Sequence, residues 1–408
     1  MTDKSAKPGM KPQPMTAAVH AGLAVDAATG AIAPNISMSV NNAFRPGDGA
    51  FSAAEAGDLV DLPYLYARWT NPTVRQLEQR MAALENAEEA MATATGVAAI
   101  AALFLGTLKA GDHLIISDVC YAGAREMADT LLPGFGIEIS AVNLSDLDAV
   151  RAALRLNTRL IHAETPCNPL LRLTDLAELA VIAHAHGALV SVDSTVATPV
   201  ATRPLDLGVD FVIHSLTKFI NGHGDALGGI LIGRKADVAR IRSLAGVYLG
   251  AAMSASNAWL ILRGIDTLFP RMAQVGASAQ RIAEYLSAQP KVIGVSYPGL
   301  PSHPQAELAR RQMNFFGGLV SFQTRDPHRL AALMPDRLRY IHYAFSLGHQ
   351  RSIIVYLDTA EMMASTFKLD GAAAADYRRY AGDGVFRLSV GLEAVEDIIA
   401  DLDRALAD

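Results

Sequence analysis

Short apolar runs separated by helical patterns constrain the fold of this chain more than any other feature. Each run is nearly continuous in apolar residues, which is typical of strands buried on both faces of a sheet. The segments between the runs have the length and periodicity of helices. The pattern therefore predicts an α/β fold with a mainly parallel sheet, of a seven-stranded type, flanked by helices. The runs are HLIIS (113–117), IEISAV (137–142), RLIHAE (159–164), ALVSVDS (188–194), VDFVIHS (209–215) and GILIG (229–233).

The pattern of predicted strands and helices changes after the helical segment at 256–274, SNAWLILRGIDTLFPRMAQ. Two predicted strands, GGLVSFQT and GVFRLSVG, and a predicted terminal helix, AVEDIIADLDRAL, follow in the pattern of a smaller α+β domain. A chain of 408 residues is also too long for one ordinary core. We expect a tail and arm at 1–70, a large domain at 71–264 and a small C-terminal domain at 265–408.

The arm is rich in Pro, Gly, Asn and Ala up to about residue 60, with weak periodicity. Such a segment is expected to be extended and to lie on another surface. A strong helix follows, with Asn71 as its N-cap and Pro72 at the first position. A second helix, at 174–187, is expected to use Thr174 as its cap.

The net charge and the number of cysteines indicate which partners and which cellular compartment to expect. A net charge of -6, without long runs of either sign, argues against nucleic acid and favours small-molecule partners. The two cysteines, Cys120 and Cys167, suit a reducing compartment. The first 15 residues do not have the pattern of a secretory signal, and the apolar segment Gly96–Leu108 is too short for a membrane span. We expect a cytoplasmic protein without membrane contact.

Polar residues follow two of the predicted strands where ligands bind in parallel sheets. Asp193 ends one run, and Ser215, Thr217 and Lys218 follow the next. A lysine that forms an imine, hydroxyls that hold a phosphate and an acid that pairs with a pyridine nitrogen together describe a pyridoxal phosphate site. The alternative is a surface lysine beside a strand-end cap, which the joint occurrence of these residues disfavours.

A second phosphate-binding candidate is ATATGVAAI at 92–100. Thr95 and Gly96 open an apolar helix there, and free amides at a helix start favour an anion. The alternative is a plain buried helix with a glycine at its entry. No metal site is expected, because His184 and His186 are two residues apart on a helix and face different ways.

The order and spacing of these motifs resemble the Cys/Met metabolism family of pyridoxal phosphate enzymes. This family includes cystathionine γ-synthase, cystathionine and methionine γ-lyases, and homoserine-ester sulfhydrylases. The resemblance runs from about residue 18 almost to the C-terminus and implies a fold-type I enzyme. It is carried by VHAGLAVDAATGAIAP, YARWTNPTVRQLE, TGVAAI, AETPCNPLLRLTD, VDSTVATP, HSLTKFINGHGDALGG, AWLILRGIDTL, SLGHQRS and VFRLSVGLE.

The resemblance assigns the cofactor residues. Lys218 would be the Schiff-base lysine and later a proton shuttle, and Asp193 would pair with the pyridine nitrogen. Tyr121 would stack on the cofactor ring and protonate a leaving group, and Asn168 would lie near the phenolic oxygen. The phosphate would be held by Gly96, Val97, Ser215 and Thr217 of one subunit and by Tyr66 and Arg68 of its neighbour.

The resemblance also implies a substrate site and an assembly. Arg387 would bind the substrate carboxylate, since a guanidinium binds a carboxylate bidentately, and Ser346 would support the same end. Because Tyr66 and Arg68 would serve a neighbouring subunit, the family pattern implies a homotetramer made of two dimers that share active sites.

Two departures from the family bear on the substrate. In SLGHQRS, Arg351 stands where many relatives carry a glutamate, and arginine favours a distal carboxylate or a neutral group over an ammonium. The alternative is that Arg351 points into solvent. Gly123 stands where methionine γ-lyases typically carry a cysteine, which weakens a methionine-specific assignment.

By this resemblance we expect γ-elimination on a sulfur-containing amino acid of the methionine, homocysteine or cystathionine type. The products would be 2-oxobutanoate, ammonia and a thiol. The alternative is γ-replacement on O-acetyl- or O-succinylhomoserine, which shares the early steps and which Arg351 favours. A remote alternative is a non-catalytic cofactor-binding protein of the same fold.

Overall fold

The computed structural model describes residues 12–407. Its larger sheet has seven strands in the order β1-β7-β6-β5-β4-β2-β3. The strand β7 runs antiparallel to both of its neighbours, and the other pairs are parallel. The strands are β1 (Glu89–Thr93), β2 (His113–Ser117), β3 (Glu138–Val142), β4 (Thr158–Glu164), β5 (Leu189–Asp193), β6 (Phe211–His214) and β7 (Gly229–Gly233).

All six predicted runs are strands of this sheet, so the predicted fold class is confirmed. The sequence did not indicate β1, because Glu and Ala are poor strand formers. Five residues of β1 pair with β7, and all five are buried. Tertiary pairing therefore overrides local propensity in EAMAT.

Helices cover both faces of the larger sheet. The helix α2 begins as predicted, with the Asn71 side chain accepting from the Thr73 and Val74 N–H groups. The cap of α6 is Asp175, which accepts from the Glu178 N–H, so the expected cap at Thr174 is wrong by one residue. The helices of this part are α1 (Pro14–His20), α2 (Pro72–Leu84), α3 (Gly96–Thr107), α4 (Ala122–Glu126), α5 (Leu147–Ala153), α6 (Leu176–Ala185), α7 (Thr198–Ala201), α8 (Lys235–Ile241) and α9 (Ala255–Asp266).

A second sheet has five strands in the order β10-β11-β12-β9-β8. The sequence indicated β9 and β12 but not the other three. The strands are β8 (Val292–Ser296), β9 (Leu319–Thr324), β10 (His342–Tyr343), β11 (Ile353–Asp358) and β12 (Gly384–Ser389). The helices are α10 (Leu268–Ser287), α11 (Ala306–Gln312), α12 (Pro327–Arg337), α13 (Thr359–Met362), α14 (Gly371–Ala381) and α15 (Val395–Leu406).

The helices α10 and α15 pack with the second sheet around its own apolar core. Phe322 of β9 and Phe386 of β12 stack there with their ring centroids 5.2 Å apart. The strand β12 thus enters a rigid core, and its residue Arg387 is carried to a fixed place. This packing positions one wall of the site described below.

Residues 21–70 contain almost no regular secondary structure. The segment nevertheless carries exposed apolar side chains, among them Ile32, Met38, Phe44 and Phe51. Exposed apolar surface of this kind is typical of a segment that another surface covers. Residues 1–11 of the expected tail lie outside the described residues.

Candidate active site at the carboxyl ends of the larger sheet

A cavity of about 270 Å³ lies where β4, β5 and β6 end and α3 begins. This is the edge at which parallel sheets bind ligands. It brings together eight of the residues singled out in the sequence: Gly96, Val97, Tyr121, Asn168, Asp193, Ser215, Thr217 and Lys218. It also includes Thr95, Glu164 and Thr195.

Lys218 is half-buried in a tight turn after β6 and lines the cavity. Its amine donates a hydrogen bond of 2.8 Å to the Ser346 hydroxyl. Burial lowers the pKa of Lys218, and the Arg387 charge lowers it further. The surface-lysine alternative is therefore wrong, and the amine is biased towards the neutral form that an imine-forming lysine needs.

Arg271 of α10 anchors the lysine turn from behind. Its guanidinium donates to the carbonyls of Phe219 (2.7 Å) and Ile220 (3.0 Å). A Cβ on Gly222, which has a φ of +73°, would lie 2.0 Å from the Arg271 Nη1. Glycine is thus required where the turn meets the guanidinium, and the sequence alone did not reveal this contact.

Asp193 is a buried carboxylate at the end of β5. One of its oxygens accepts from the Thr195 N–H at 3.0 Å. Burial raises the pKa of Asp193, so a cationic partner in the cavity would stabilise its ionised form. This environment fits a protonated ring nitrogen.

The start of α3 lies directly against Ser215. A Cβ on Gly96 would be 2.9 Å from the Ser215 Cβ, so only glycine allows this approach. The first N–H groups of a helix have no acceptor within the helix, and its dipole favours an anion there. The Thr217 hydroxyl also lines the cavity, but it bonds to the Gly228 N–H (3.0 Å) and carbonyl (3.2 Å).

Arg387 of β12 reaches the site from the second sheet through Asn168, which lines the cavity. Its two terminal nitrogens donate to the Asn168 side-chain oxygen and the Ser346 carbonyl, both at 2.8 Å. Among residues 12–407 the buried Nε has no hydrogen-bond partner. Burial lowers the pKa of Arg387 to about 10, while the charge of Glu164 acts in the opposite direction. A buried donor without an acceptor fits a site for a ligand carboxylate.

Glu164, at the end of β4, is a buried site residue that the sequence reasoning missed. Its two oxygens accept from the backbone N–H groups of Tyr121 (2.5 Å) and Asn168 (2.7 Å). Burial raises the pKa of Glu164 to about 8, and the charge of Asp193, its partner in the sheet register, adds to the rise. The signal was available, because Glu164 ends an apolar run as Asp193 does.

Tyr121 precedes α4 and has 41% of its surface exposed. Burial of the remainder raises the pKa of its phenol, as does the charge of Asp193, so the hydroxyl keeps its proton at neutral pH. A Cβ on Gly123 would lie 2.7 Å from the Tyr121 ring. A larger residue at position 123 would thus have to displace this ring.

Three predicted site residues lie elsewhere. Neither Tyr66 nor Arg68 is among the described residues that line the Lys218 cavity. Arg68 lies over the Tyr66 ring at 5.3 Å and donates to the Val247 carbonyl at 3.4 Å. Arg351 is exposed, although its charge lowers the pKa of His349.

The residues at this site are of the types that bind pyridoxal phosphate. The site offers a buried lysine amine, a buried carboxylate, a helix start against a serine hydroxyl, and an arginine with an unpaired donor. Residues 15–407 match the family model described as Cys/Met metabolism PLP-dependent enzyme. The chain belongs to this family. Its cofactor is pyridoxal phosphate, and the chain is an enzyme, as the sequence predicted.

Relatives within the family carry names of γ-carbon chemistry. Canavanine γ-lyase of Pseudomonas canavaninivorans is 43% identical over 96% of this chain and 95% of its own. O-succinylhomoserine sulfhydrylase of Pseudomonas aeruginosa is 42% identical over 84% and 83%. The crystal structure of cystathionine γ-lyase from Lactobacillus plantarum superposes with a TM-score of 0.85, at 33% identity, covering 97% of this chain and 98% of that one. The predicted elimination or replacement at a γ carbon is consistent with these relatives.

Two further findings concern the described residues alone. None of their helices combines the length and apolar character that crossing a membrane requires. No group of three or more His, Cys, Asp or Glu side chains at 12–407 is placed to hold a metal ion.

Proposed function

We propose that this enzyme catalyses γ-elimination on an amino acid with a sulfur leaving group, giving 2-oxobutanoate, ammonia and a thiol. One observation carries the proposal. Ser346 contacts Lys218 through its hydroxyl and Arg387 through its carbonyl, each at 2.8 Å. A single residue therefore contacts both the proposed base and the proposed carboxylate binder.

Arg387 has the first role, binding of the substrate carboxylate through its free Nε–H. The bonds to Asn168 and Ser346 already fix the plane of the guanidinium, so little freedom is lost on binding. The orientation directs the substrate Cα towards the Lys218 amine. Arg387 is thus a binding residue that also sets the geometry of proton removal.

Lys218 acts as the base at Cα. Bound pyridoxal phosphate supplies an electron sink, which acidifies the protons next to the substrate nitrogen. Burial and the Arg387 charge lower the pKa of Lys218, which increases the fraction of neutral amine available to take the α proton. The same amine then moves a proton at Cβ, which permits loss of the γ substituent.

Tyr121 is placed to protonate the leaving group. Its raised pKa keeps the phenol protonated, and its exposed fraction leaves the ring room to move. A thiolate leaves readily, but a proton donor also serves poorer leaving groups. The N–H of Tyr121 is tied to Glu164, which fixes the start of this segment.

The distal end of the substrate is expected to be neutral or anionic. His349 and Arg351 follow Ser346 on one loop, and no acidic residue occurs within SLGHQRS. Arg351 is exposed and does not line the cavity, so it would act on a leaving group through the reach of its positive charge, which disfavours a cationic one. Thioethers with a neutral end fit this environment better than a distal ammonium does.

A second candidate is γ-replacement on O-succinylhomoserine. The positive charge of Arg351 favours it, because a succinyl ester ends in a carboxylate, and the exposed side chain would bind that carboxylate by turning towards the cavity. The 42% identity to a sulfhydrylase acting on this ester, by its name, supports the same alternative. Both reactions use Lys218, Tyr121 and Arg387 in the same early roles.

We further infer that the enzyme is a cytoplasmic homotetramer of two dimers, without nucleic-acid or membrane partners. The arm at 1–70 would cross to a neighbour, the domain at 71–264 would bind the cofactor, and the domain at 265–408 would bind the substrate carboxylate. Two observations support this assembly. The arm carries exposed apolar side chains, and Tyr66 and Arg68 do not line the Lys218 cavity of the chain to which they belong. Gel filtration with light scattering tests the assembly, and a monomer would refute it.

The reaction is tested with a substrate panel on purified holoenzyme. The panel contains methionine, homocysteine, cystathionine, canavanine, and O-acetyl- and O-succinylhomoserine, each with and without sulfide. Release of 2-oxobutanoate from thioethers without added thiol supports elimination. Turnover that needs both an ester and sulfide would refute it in favour of replacement, and the fastest release from canavanine would refute the sulfur assignment.

A further inference from the structure

The loop SLGHQRS places a histidine next to the lysine–serine pair. The His349 Nε2 lies 3.3 Å from the Ser346 Oγ, and the Lys218 Nζ lies 2.8 Å from the same oxygen. Ser346 has a φ of +90°, a conformation rarely adopted by residues other than glycine. Strain of this kind is typical of functional positions. One serine hydroxyl thus joins a lysine amine and an imidazole.

The direction of these hydrogen bonds depends on the charge of Lys218. A lysine ammonium can only donate to the Ser346 oxygen, whereas a neutral amine can donate to that oxygen or accept from its hydroxyl. When the Ser346 oxygen accepts from Lys218, its hydroxyl proton needs an acceptor of its own. Arg387 cannot serve, because a guanidinium only donates and its bond goes to the Ser346 carbonyl. His349 Nε2 is within reach and can accept when the ring is neutral.

The surroundings of His349 favour the neutral ring. Burial lowers the pKa of His349 below its ordinary value of 6.5, and the charges of Lys218 and Arg351 lower it further. The Arg387 charge acts on Lys218 in the same sense. At neutral pH the imidazole is therefore uncharged, with its proton on Nδ1 when Nε2 accepts.

The glycine-rich turn behind Lys218 leaves room for the imidazole. Gly224 has a φ of +71°, and a Cβ built there would lie 3.0 Å from both Cε1 and Nδ1 of His349. The turn and the loop meet at this ring. Gly224 in GHGDALGG therefore allows the His349 ring to pack against the turn, a contact that the sequence alone did not reveal.

We propose that His349 is a positioning residue that orients the Ser346 hydroxyl for the catalytic lysine. By accepting a hydrogen bond from the Ser346 hydroxyl, His349 keeps a lone pair of the Ser346 oxygen facing Lys218. The lone pair of the neutral lysine amine then stays free for the substrate. Without this acceptor the hydroxyl can turn and donate to the amine, which occupies the base. The inference rests on the proposed role of Lys218 in α-proton removal.

The first test reads the tautomer of His349 in the apoenzyme, independently of turnover. Histidine-selective ¹⁵N labelling is used, and the His349 signal is assigned by its loss in His349→Gln. At pH 7.5 (roughly one unit above the ordinary histidine pKa), we expect an unprotonated Nε2 that shifts in Ser346→Ala. A protonated Nε2, or no change in Ser346→Ala, would overturn the proposal.

The second test compares pH profiles of kcat for the holoenzyme and its variants. His349→Phe removes the acceptor, and loss of one hydrogen bond should lower kcat about tenfold at neutral pH. His349→Gln keeps an acceptor and should stay within about threefold, and its activity should lack the wild-type decline below pH 6.5 that follows protonation of His349. The exposed His328 supplies the control His328→Gln, with an unchanged profile.

The outcomes separate this proposal from the proposed reaction. Equal kcat in His349→Phe and wild type, or an acid decline that persists in His349→Gln, would overturn the positioning role while leaving γ-elimination intact. If the panel yields no 2-oxobutanoate without thiol, elimination fails. In that case the tautomer of His349 in the apoenzyme still decides whether His349 accepts from the Ser346 hydroxyl. Should His349→Phe not fold, His349→Gln and the tautomer decide.

Discussion

Arg387→Lys tests the carboxylate site most sharply. Arg387 has two nitrogens committed to Asn168 and Ser346, and a third, Nε, is free for the substrate. A lysine ammonium can replace some of these bonds but cannot present the same planar set of donors. The substitution should remove one charge-assisted hydrogen bond to the substrate, worth about 1.5–3 kcal/mol.

This loss should appear in KM. Because the carboxylate is held in both the ground state and the transition state, KM should rise about 10- to 150-fold with a much smaller change in kcat. The assay is steady-state release of 2-oxobutanoate, or of the replacement product if the panel favours it. The matched control is Arg263→Lys on the exposed side of α9, which should leave both constants unchanged.

Thermal unfolding of Arg387→Lys must be measured beside the kinetics, since the side chain is buried. Assays are then run well below the unfolding temperature of the variant. An unchanged KM in a folded variant would refute the assignment of Arg387 to the substrate carboxylate. A fall in kcat alone would point instead to a role confined to the transition state.

The pKa of Glu164 is raised to about 8 in the folded apoenzyme, from an ordinary value near 4.5, so the folded state favours the protonated carboxyl. The stability of the apoenzyme, measured by thermal unfolding, should therefore fall as the pH rises from about 4.5 to about 8, and it should fall less in Glu164→Gln. Equal slopes would contradict this. Gly96→Ala should weaken cofactor binding about tenfold in an absorbance titration, while Gly134→Ala, with open space around its Cβ, should not. Asp401→Asn should cost about 2 kcal/mol in urea unfolding, because the buried carboxylate accepts three consecutive backbone N–H groups at 339–341, and a loss under about 0.5 kcal/mol would contradict it.

Much of the larger sheet was predictable from sequence because its strands are buried on both faces. Such strands form continuous apolar runs, and the chemistry follows their carboxyl ends, which is how Asp193 and Lys218 were found together. The strand β1 could not be found this way, since its residues become a strand only by pairing with β7. The second sheet was only partly predicted for the same reason.

The contacts between distant segments were beyond the sequence. Glu164 could have been selected by the strand-end rule, but its bond to Tyr121 depends on the close approach of two segments that follow different strands. The Lys218–Ser346 bond joins residues 128 positions apart. Periodicity and motif spacing carry no information on such pairs, whereas the family resemblance did supply the residues that form them.

The proposed mechanism requires Lys218 to be the amine that binds the cofactor. The direct measurement is borohydride reduction of the holoenzyme, followed by proteolysis and mass-spectrometric mapping of the modified lysine. We expect one reduced cofactor per chain on the peptide that contains Lys218, and none in Lys218→Ala. Attachment to a different lysine, or a reduced cofactor retained in Lys218→Ala, would contradict it.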